Sequence, residues 1–251
     1  LISARLGSFK LEVLFKETEM LSPVSGGLKH CLPGKSCNDQ DVFTRFTLFD
    51  EEWCVLDKKS LRNNMSTQLK SMDRMTYEQL SYMIGTSLIE TDVWKSSSTI
   101  GLTVSRFPEV DTWQLIRQGW KQGKKIVVPK CIPSTKEMSF RSISAFTELE
   151  DSFFGLFEPI ESQTDEVLKS DIDLLVVPGL IYNRKGYRIG FGGGYYDRFL
   201  EGFSGQKVSL AFSKQLTEEF PFEEHDLPVD KIITEKEVIE CKSNQLMNKD
   251  S

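Results

Sequence analysis

Little in this sequence could serve as a metal cage or a disulfide frame. There are two histidines, His30 and His225, and five cysteines, Cys31, Cys37, Cys54, Cys131 and Cys241, an odd set without CxxC spacing. Structural zinc and paired disulfides are therefore poorly supported, and unpaired thiols point to the reducing cytoplasm. Long apolar runs are missing too. None approaches the ~20 residues that span a bilayer, so no membrane segment is expected. No apolar stretch follows a basic start, which argues against a signal peptide. Nor is positive charge in excess. With 31 Lys and Arg against 37 Asp and Glu the net charge is −6, and no basic stripe interleaves with aromatic residues. Nucleic acid is thus not an expected partner.

What is present divides unevenly. Residues 21–40, LSPVSGGLKHCLPGKSCNDQ, gather Ser, Pro, Gly, Lys and Cys without helical or alternating periodicity and read as loop or disorder. The chain begins at Leu1 rather than Met, and residues 1–56 are expected to be a dispensable upstream segment. Residues 242–251 form a polar tail.

From Asp57 the pattern becomes regular. Leu61, Met65, Leu69 and Met72 mark one helix, and Leu80, Met83, Ile84, Leu88 and Ile89 mark another across Thr76 to Trp94. A strand at Thr99–Val104, a helix at Asp111–Gln122 and a strand at Lys125–Pro129 make a β-α-β unit. A strand pair is expected near Glu137–Ser144, then a loop carrying Phe153, Phe154 and Phe157, and a short helix at 163–170. Asp173–Pro178 reads as a strand buried on both faces, with later strands at Lys207–Phe212 and Lys231–Thr234. This alternation predicts an open α/β sheet.

Asn183–Leu200, NRKGYRIGFGGGYYDRFL, follows the buried strand, where ligands of open α/β sheets bind. Gly190, Gly192, Gly193 and Gly194 remove Cβ atoms where backbone must approach a ligand. Free N–H groups there, a helix starting near Tyr195, and the charges of Arg184, Lys185 and Arg188 describe a polyphosphate cradle. Neither the dinucleotide GxGxxG spacing nor a P-loop is present, and a plain glycine-rich hairpin with solvated basic residues is the competing reading. Asp197 either stabilises the helix dipole or holds Mg2+.

The stretch VVPGLIYNRKGYRIGFGGGYYDRFL resembles the signature of the 5-formyltetrahydrofolate cyclo-ligase family, whose G-x-R-x-G-x-G-x-G-Y-Y-D core binds ATP. Further segments fall in the family's order: Lys58-Lys59-Ser60-Leu61-Arg62, Pro108–Thr112, Lys136–Arg141 and His225–Asp230. The resemblance spans about residues 57–241. It implies a three-layer α/β sandwich around a mostly parallel sheet, of the cyclo-ligase type. It also implies ATP contacts from Lys58, Lys59, Ser60, Leu61 and Arg62 and from Arg188, Ile189, Gly190, Phe191, Gly192, Gly193, Gly194, Tyr195 and Tyr196. Arg188 and Tyr195 would be catalytic, Asp197 and Asp226 would hold Mg2+, and Val104 and Glu109 would contact the folate.

The implied reaction is the ATP- and Mg2+-dependent closure of 5-formyltetrahydrofolate to 5,10-methenyltetrahydrofolate by a cytoplasmic monomer. Two other readings stand beside it. One is a non-catalytic nucleotide- or folate-binding protein of the same fold. The other is a sugar-phosphate isomerase or acyl-CoA transferase, for which neither a glutamate nucleophile nor a sugar-phosphate loop can be identified.

Overall fold

In the computed structural model, the described residues are 57–152, 155–220, 222–223 and 226–241. The expectations for residues 1–56 and 242–251, and for Phe153, Phe154 and His225, lie outside them. Asp57 starts the first helix, α1 (Lys58–Lys70), by accepting the N–H groups of Lys59 and Ser60, each at 2.8 Å. Such a cap is worth about 1 kcal/mol. Leu61 and Met65 pack on the core and Leu69 is buried in it, as their spacing requires.

The second helical stretch is interrupted. Thr91 donates its hydroxyl to Leu88 O at 2.6 Å and accepts from Trp94 N at 3.3 Å. It thereby ends α2 (Arg74–Glu90) and caps α3 (Asp92–Ser96). The single helix predicted from Thr76 to Trp94 is corrected to two, because a threonine in extended conformation satisfies both helix ends.

Next come β1 (Thr99–Gly101), α4 (Trp113–Lys121), β2 (Lys125–Ile132) and β3 (Glu137–Ile143), then β4 (Leu149–Asp151), β5 (Phe157–Pro159) and β6 (Asp165–Val167). The chain continues through β7 (Leu174–Val176), β8 (Ile181–Asn183), β9 (Arg188–Ile189), α5 (Tyr195–Leu200), β10 (Gln206–Leu210) and β11 (Leu216–Thr217) to β12 (Lys231–Ile233) and β13 (Val238–Glu240).

Eight strands form the main sheet in the order β13-β12-β10-β7-β1-β2-β3-β6. The central pairings from β12 to β2 are parallel, and β13, β3 and β6 join antiparallel at the edges. Alternate residues of the buried strands face opposite layers. Ile126, Val128, Leu174 and Val176 pack with α1, α2 and α4, while Val127, Leu175 and Val177 pack with Phe199 and Leu200 of α5. Full burial of each such side chain contributes roughly 1.5–3 kcal/mol. The result is the three-layer α/β sandwich. Asp173 aligns β7 with β1, its Oδ2 accepting Ser98 N at 2.8 Å and Thr99 N at 2.9 Å.

Three expectations are corrected here. Residues 163–170 contain a strand, β6, because Val167 is buried against Phe140 in the β3 register. Arg141 holds the approach to that strand by donating to Thr164 Oγ1 at 2.9 Å. Glu137–Ile143 is a single strand paired with β2, rather than a strand pair of its own. The first strand stops at Gly101, so Val104 sits in the following loop, where it is buried in the core.

Candidate functional site

β7 delivers the chain to Pro178–Gly179 at the carboxyl edge of the parallel strands, and a small sheet follows in which β8 pairs antiparallel with β9. Asn183 closes the intervening turn, its Oδ1 accepting Lys185 N and Tyr187 N, each at 3.1 Å. The glycine run then leads into α5. Gly192 and Gly194 have φ of 100° and 70°, left-handed values that a residue with a Cβ adopts only at a cost. The Tyr195 ring folds back on this loop, leaving only 2.7 Å for a Cβ at Gly193. Phe191 is exposed at the loop, whereas Ile189 is buried.

Arg188 points inward. Its side chain is 3% exposed, and Nη2 donates to Asp197 Oδ1 at 2.6 Å. Nη1 donates to Leu227 O at 3.0 Å, and Nε is buried without a partner among the described residues. Asp197 lies in the first turn of α5, as its sequence position predicts.

The first turn of α1 meets the same region. Arg62 Nε donates to Gly190 O at 2.8 Å. Lys58 Nζ lies 3.0 Å from Glu223 Oε1 and 3.1 Å from Asp226 Oδ2. Partial burial works against the Lys58 charge, but the hydrogen bonds it donates to those two carboxylates outweigh it and raise the ammonium above its usual range. Asp226 Oδ2 also accepts Glu223 N at 2.8 Å. Lys59 is exposed, and Ser60 and Leu61 are half-buried. One chain of contacts thus runs from Lys58 through Asp226 and its neighbour Leu227 to Arg188 and Asp197.

Glu109 follows a turn that contains the cis Phe107–Pro108 bond. Its Oε2 accepts Arg106 N at 3.1 Å. Burial pushes its carboxyl above the ordinary carboxylate range, against the opposing hydrogen bond from Arg106 N and the charge of the Arg106 guanidinium. It lines a narrow cleft of about 30 Å³ with Thr103, Ser105, Val110, Gly179 and Gln215. Thr112 and Ser105 hold this loop by reciprocal bonds, Ser105 N to Thr112 Oγ1 at 3.0 Å and Thr112 N to Ser105 Oγ at 2.9 Å.

Two buried hydroxyls, on Tyr182 and Tyr196, have no hydrogen-bond partner among the described residues. Burial raises both above the usual phenol range, and each lies within electrostatic reach of Glu109 and Arg188. A Cβ at Gly179 would stand 2.9 Å from the Tyr182 hydroxyl, which places that group directly behind the cleft. Tyr182 and Gln215 were not singled out in the sequence. Gln215 Nε2 donates to Leu180 O at 3.0 Å and to Gly179 O at 3.3 Å, fixing the loop from a distance of some thirty residues, and no local motif carries that information. The unpartnered-hydroxyl criterion likewise has no sequence counterpart.

Two basic residues do not behave as a cradle requires. Arg184 is held by Glu237, with Nη1 at 3.2 Å and Nη2 at 2.5 Å, and Lys185 lies 3.4 Å from Glu219. Their charge is met by carboxylates. Among the described residues no three His, Cys, Asp or Glu side chains gather as a metal site, so Asp197 and Asp226 would leave most positions on a cation to phosphate and water.

Residues 55–235 match the 5-formyltetrahydrofolate cyclo-ligase family. The 5-formyltetrahydrofolate cyclo-ligase of Escherichia coli K12 is 33% identical over 146 residues, covering 57% of this chain and 80% of its own. That of Mus musculus is 26% identical over 189 residues, covering 71% and 93%. The NMR structure of the 5,10-methenyltetrahydrofolate synthetase of Aquifex aeolicus superposes with a TM-score of 0.67 at 32% identity, over 74% of this chain and 93% of the other. That of Mycoplasma pneumoniae, at 24% identity and a TM-score of 0.59 over 71% and 99%, shares the fold. With the glycine run, the α1 turn and the Glu109 loop meeting beyond the strand ends, and with the match covering most of its length, the chain belongs to the 5-formyltetrahydrofolate cyclo-ligase family.

Proposed function

We propose that this protein uses ATP and Mg2+ to convert 5-formyltetrahydrofolate to 5,10-methenyltetrahydrofolate, releasing ADP and phosphate. The observation that carries the reading is the contact chain from Lys58 to Asp197, which joins the α1 turn to the end of the glycine run beside the Glu109 cleft. The polyphosphate lies along the glycine run, met by loop N–H groups and by Lys59 and Arg62. Tyr195 and Tyr196 border it.

The donor set suits Mg2+. Asp197 and Asp226 present hard carboxylate oxygens, and each has an oxygen that accepts no hydrogen bond among the described residues, Oδ2 of Asp197 and Oδ1 of Asp226. The bound ion supplies neutralisation of phosphate charge. Glu109 accepts from the N–H edge of the pterin, and the narrow cleft admits that polar edge rather than a whole ring.

The formyl oxygen attacks the γ-phosphorus, the bond to the β-bridging oxygen breaks, and ADP leaves. N10 then attacks the formyl carbon of the phosphorylated intermediate, loses its proton, and closes the ring as phosphate departs. The side chains position the reactants and balance charge, and none need act as nucleophile. The test is methenyltetrahydrofolate absorbance with purified protein, omitting ATP or the divalent cation in turn. Product formed equally well without nucleotide would overturn the proposal.

A further inference from the structure

An arginine that grips phosphate must offer its planar fork to the ligand. Arg188 does not. Both of its terminal nitrogens are engaged inside the protein, on Asp197 and on Leu227 O, and its side chain is 3% exposed. What it joins is informative. Asp197 belongs to α5, and Leu227 directly follows Asp226 on the segment leading into β12. One rigid guanidinium therefore spans the two segments that carry the carboxylates.

The α5 contact is made to Oδ1 of Asp197, which leaves Oδ2 without a hydrogen bond among the described residues. Asp226 is itself fixed through Oδ2 by Lys58 and Glu223 N, leaving Oδ1. We infer that Arg188 is a positioning residue that sets the spacing and orientation of Asp197 and Asp226 toward the divalent cation rather than a contact to the nucleotide. This rests on the Mg2+- and ATP-dependent reading above. A lysine cannot make the same span, because its single ammonium cannot reach a carboxylate and a separate backbone carbonyl in fixed planar geometry.

Two saturation curves and one direct binding measurement decide it. Wild-type protein is first shown to need both nucleotide and metal, and failure there removes the functional reading itself. Arg188→Lys and Arg188→Gln are then compared with it in Mg2+ activation at saturating ATP and in ATP saturation at saturating Mg2+. Mn2+ binding is followed by loss of the free-ion paramagnetic resonance signal, with the β,γ-imido analogue of ATP present. Outer partners of metal ligands typically govern affinity by about 10–100-fold. Arg188→Lys should therefore raise the metal requirement and weaken Mn2+ binding by about tenfold or more, with the ATP requirement at saturating metal changed by less than about twofold. A raised ATP requirement with unchanged metal curves would make Arg188 a phosphate contact and overturn the inference. So would loss of cooperative unfolding in Arg188→Lys, since the side chain would then serve the scaffold as a whole.

Discussion

Lys58 Nζ lies 3.1 Å from Asp226 Oδ2, so a lysine that the family resemblance assigns to phosphate is paired with a carboxylate that it assigns to metal. Arrival of Mg2+ and ATP would give each a stronger partner. Lys58→Met should remove a competing positive charge from beside Asp226 before nucleotide binds. A part-buried pair of this kind contributes up to about 1 kcal/mol, which corresponds to roughly fivefold tighter Mn2+ binding without nucleotide. The ATP requirement should rise in the same variant. Mn2+ titration with and without nucleotide checks both, and weaker Mn2+ binding in Lys58→Met would contradict the exchange.

Glu109→Gln should raise the folate requirement and leave the ATP requirement unchanged, because the amide offers the pterin edge a different set of donors and acceptors. Its stability should also respond to pH. Burial raises the Glu109 carboxyl above its ordinary value of 4.5, so the folded state favours the protonated form. Its stabilising contribution is complete below that value and is lost as pH rises through the folded one. The variant should therefore gain on the wild type as pH rises from 4.5 toward neutrality. Urea unfolding across that window measures the difference, and a variant that falls behind with rising pH would reverse the sign.

Tyr182→Phe removes a buried hydroxyl that meets the geometry of no hydrogen bond among the described residues. An unmade hydrogen bond in the interior contributes no stability, so the melting temperature should stay level or rise. A loss above about 2 kcal/mol would mean that the hydroxyl is hydrogen-bonded after all, through water.

Two glycines of the same run should behave differently. A Cβ at Gly190 meets nothing within 4 Å, whereas Gly194 combines a φ of 70° with the Arg198 guanidinium 2.9 Å from where its Cβ would stand. Gly194→Ala should cost about 1–2 kcal/mol from the left-handed backbone. Gly190→Ala should leave stability within about 0.5 kcal/mol and raise the ATP requirement on the order of tenfold, because a methyl group displaces the phosphate from the backbone. Unfolding curves with ATP saturation separate the two effects.

The sheet was legible where burial was strongest. The run at Asp173–Pro178 contains a fully buried strand because both of its faces are covered, and the helix at Lys58–Lys70 announced itself by the spacing of its apolar residues. Short edge strands were not legible. β6 has three residues, and what makes it a strand is Phe140 opposite Val167, a pairing made by the fold. Thr91 carried an N-cap signal that the continuous apolar periodicity on either side concealed. In the site, glycine spacing and the place of Asp197 were visible locally. The inward direction of Arg188 was not, since its partners at Asp197 and Leu227 are set by tertiary packing. The same holds for Arg184 and Lys185, whose charge looked available until Glu237 and Glu219 were found opposite them.

The bond from Arg188 to Leu227 also has a consequence for the order of folding. Between those residues the chain must complete α5, place β10 beside β7, and add β11 beside β8. Closing so long a loop demands that its entropy already be offset by the strands in between. The two carboxylate segments should therefore join only after β10 has been laid beside β7. On refolding, recovery of metal affinity should lag behind recovery of helical and strand signals, because a chain with most of its backbone in place still has to close this last link.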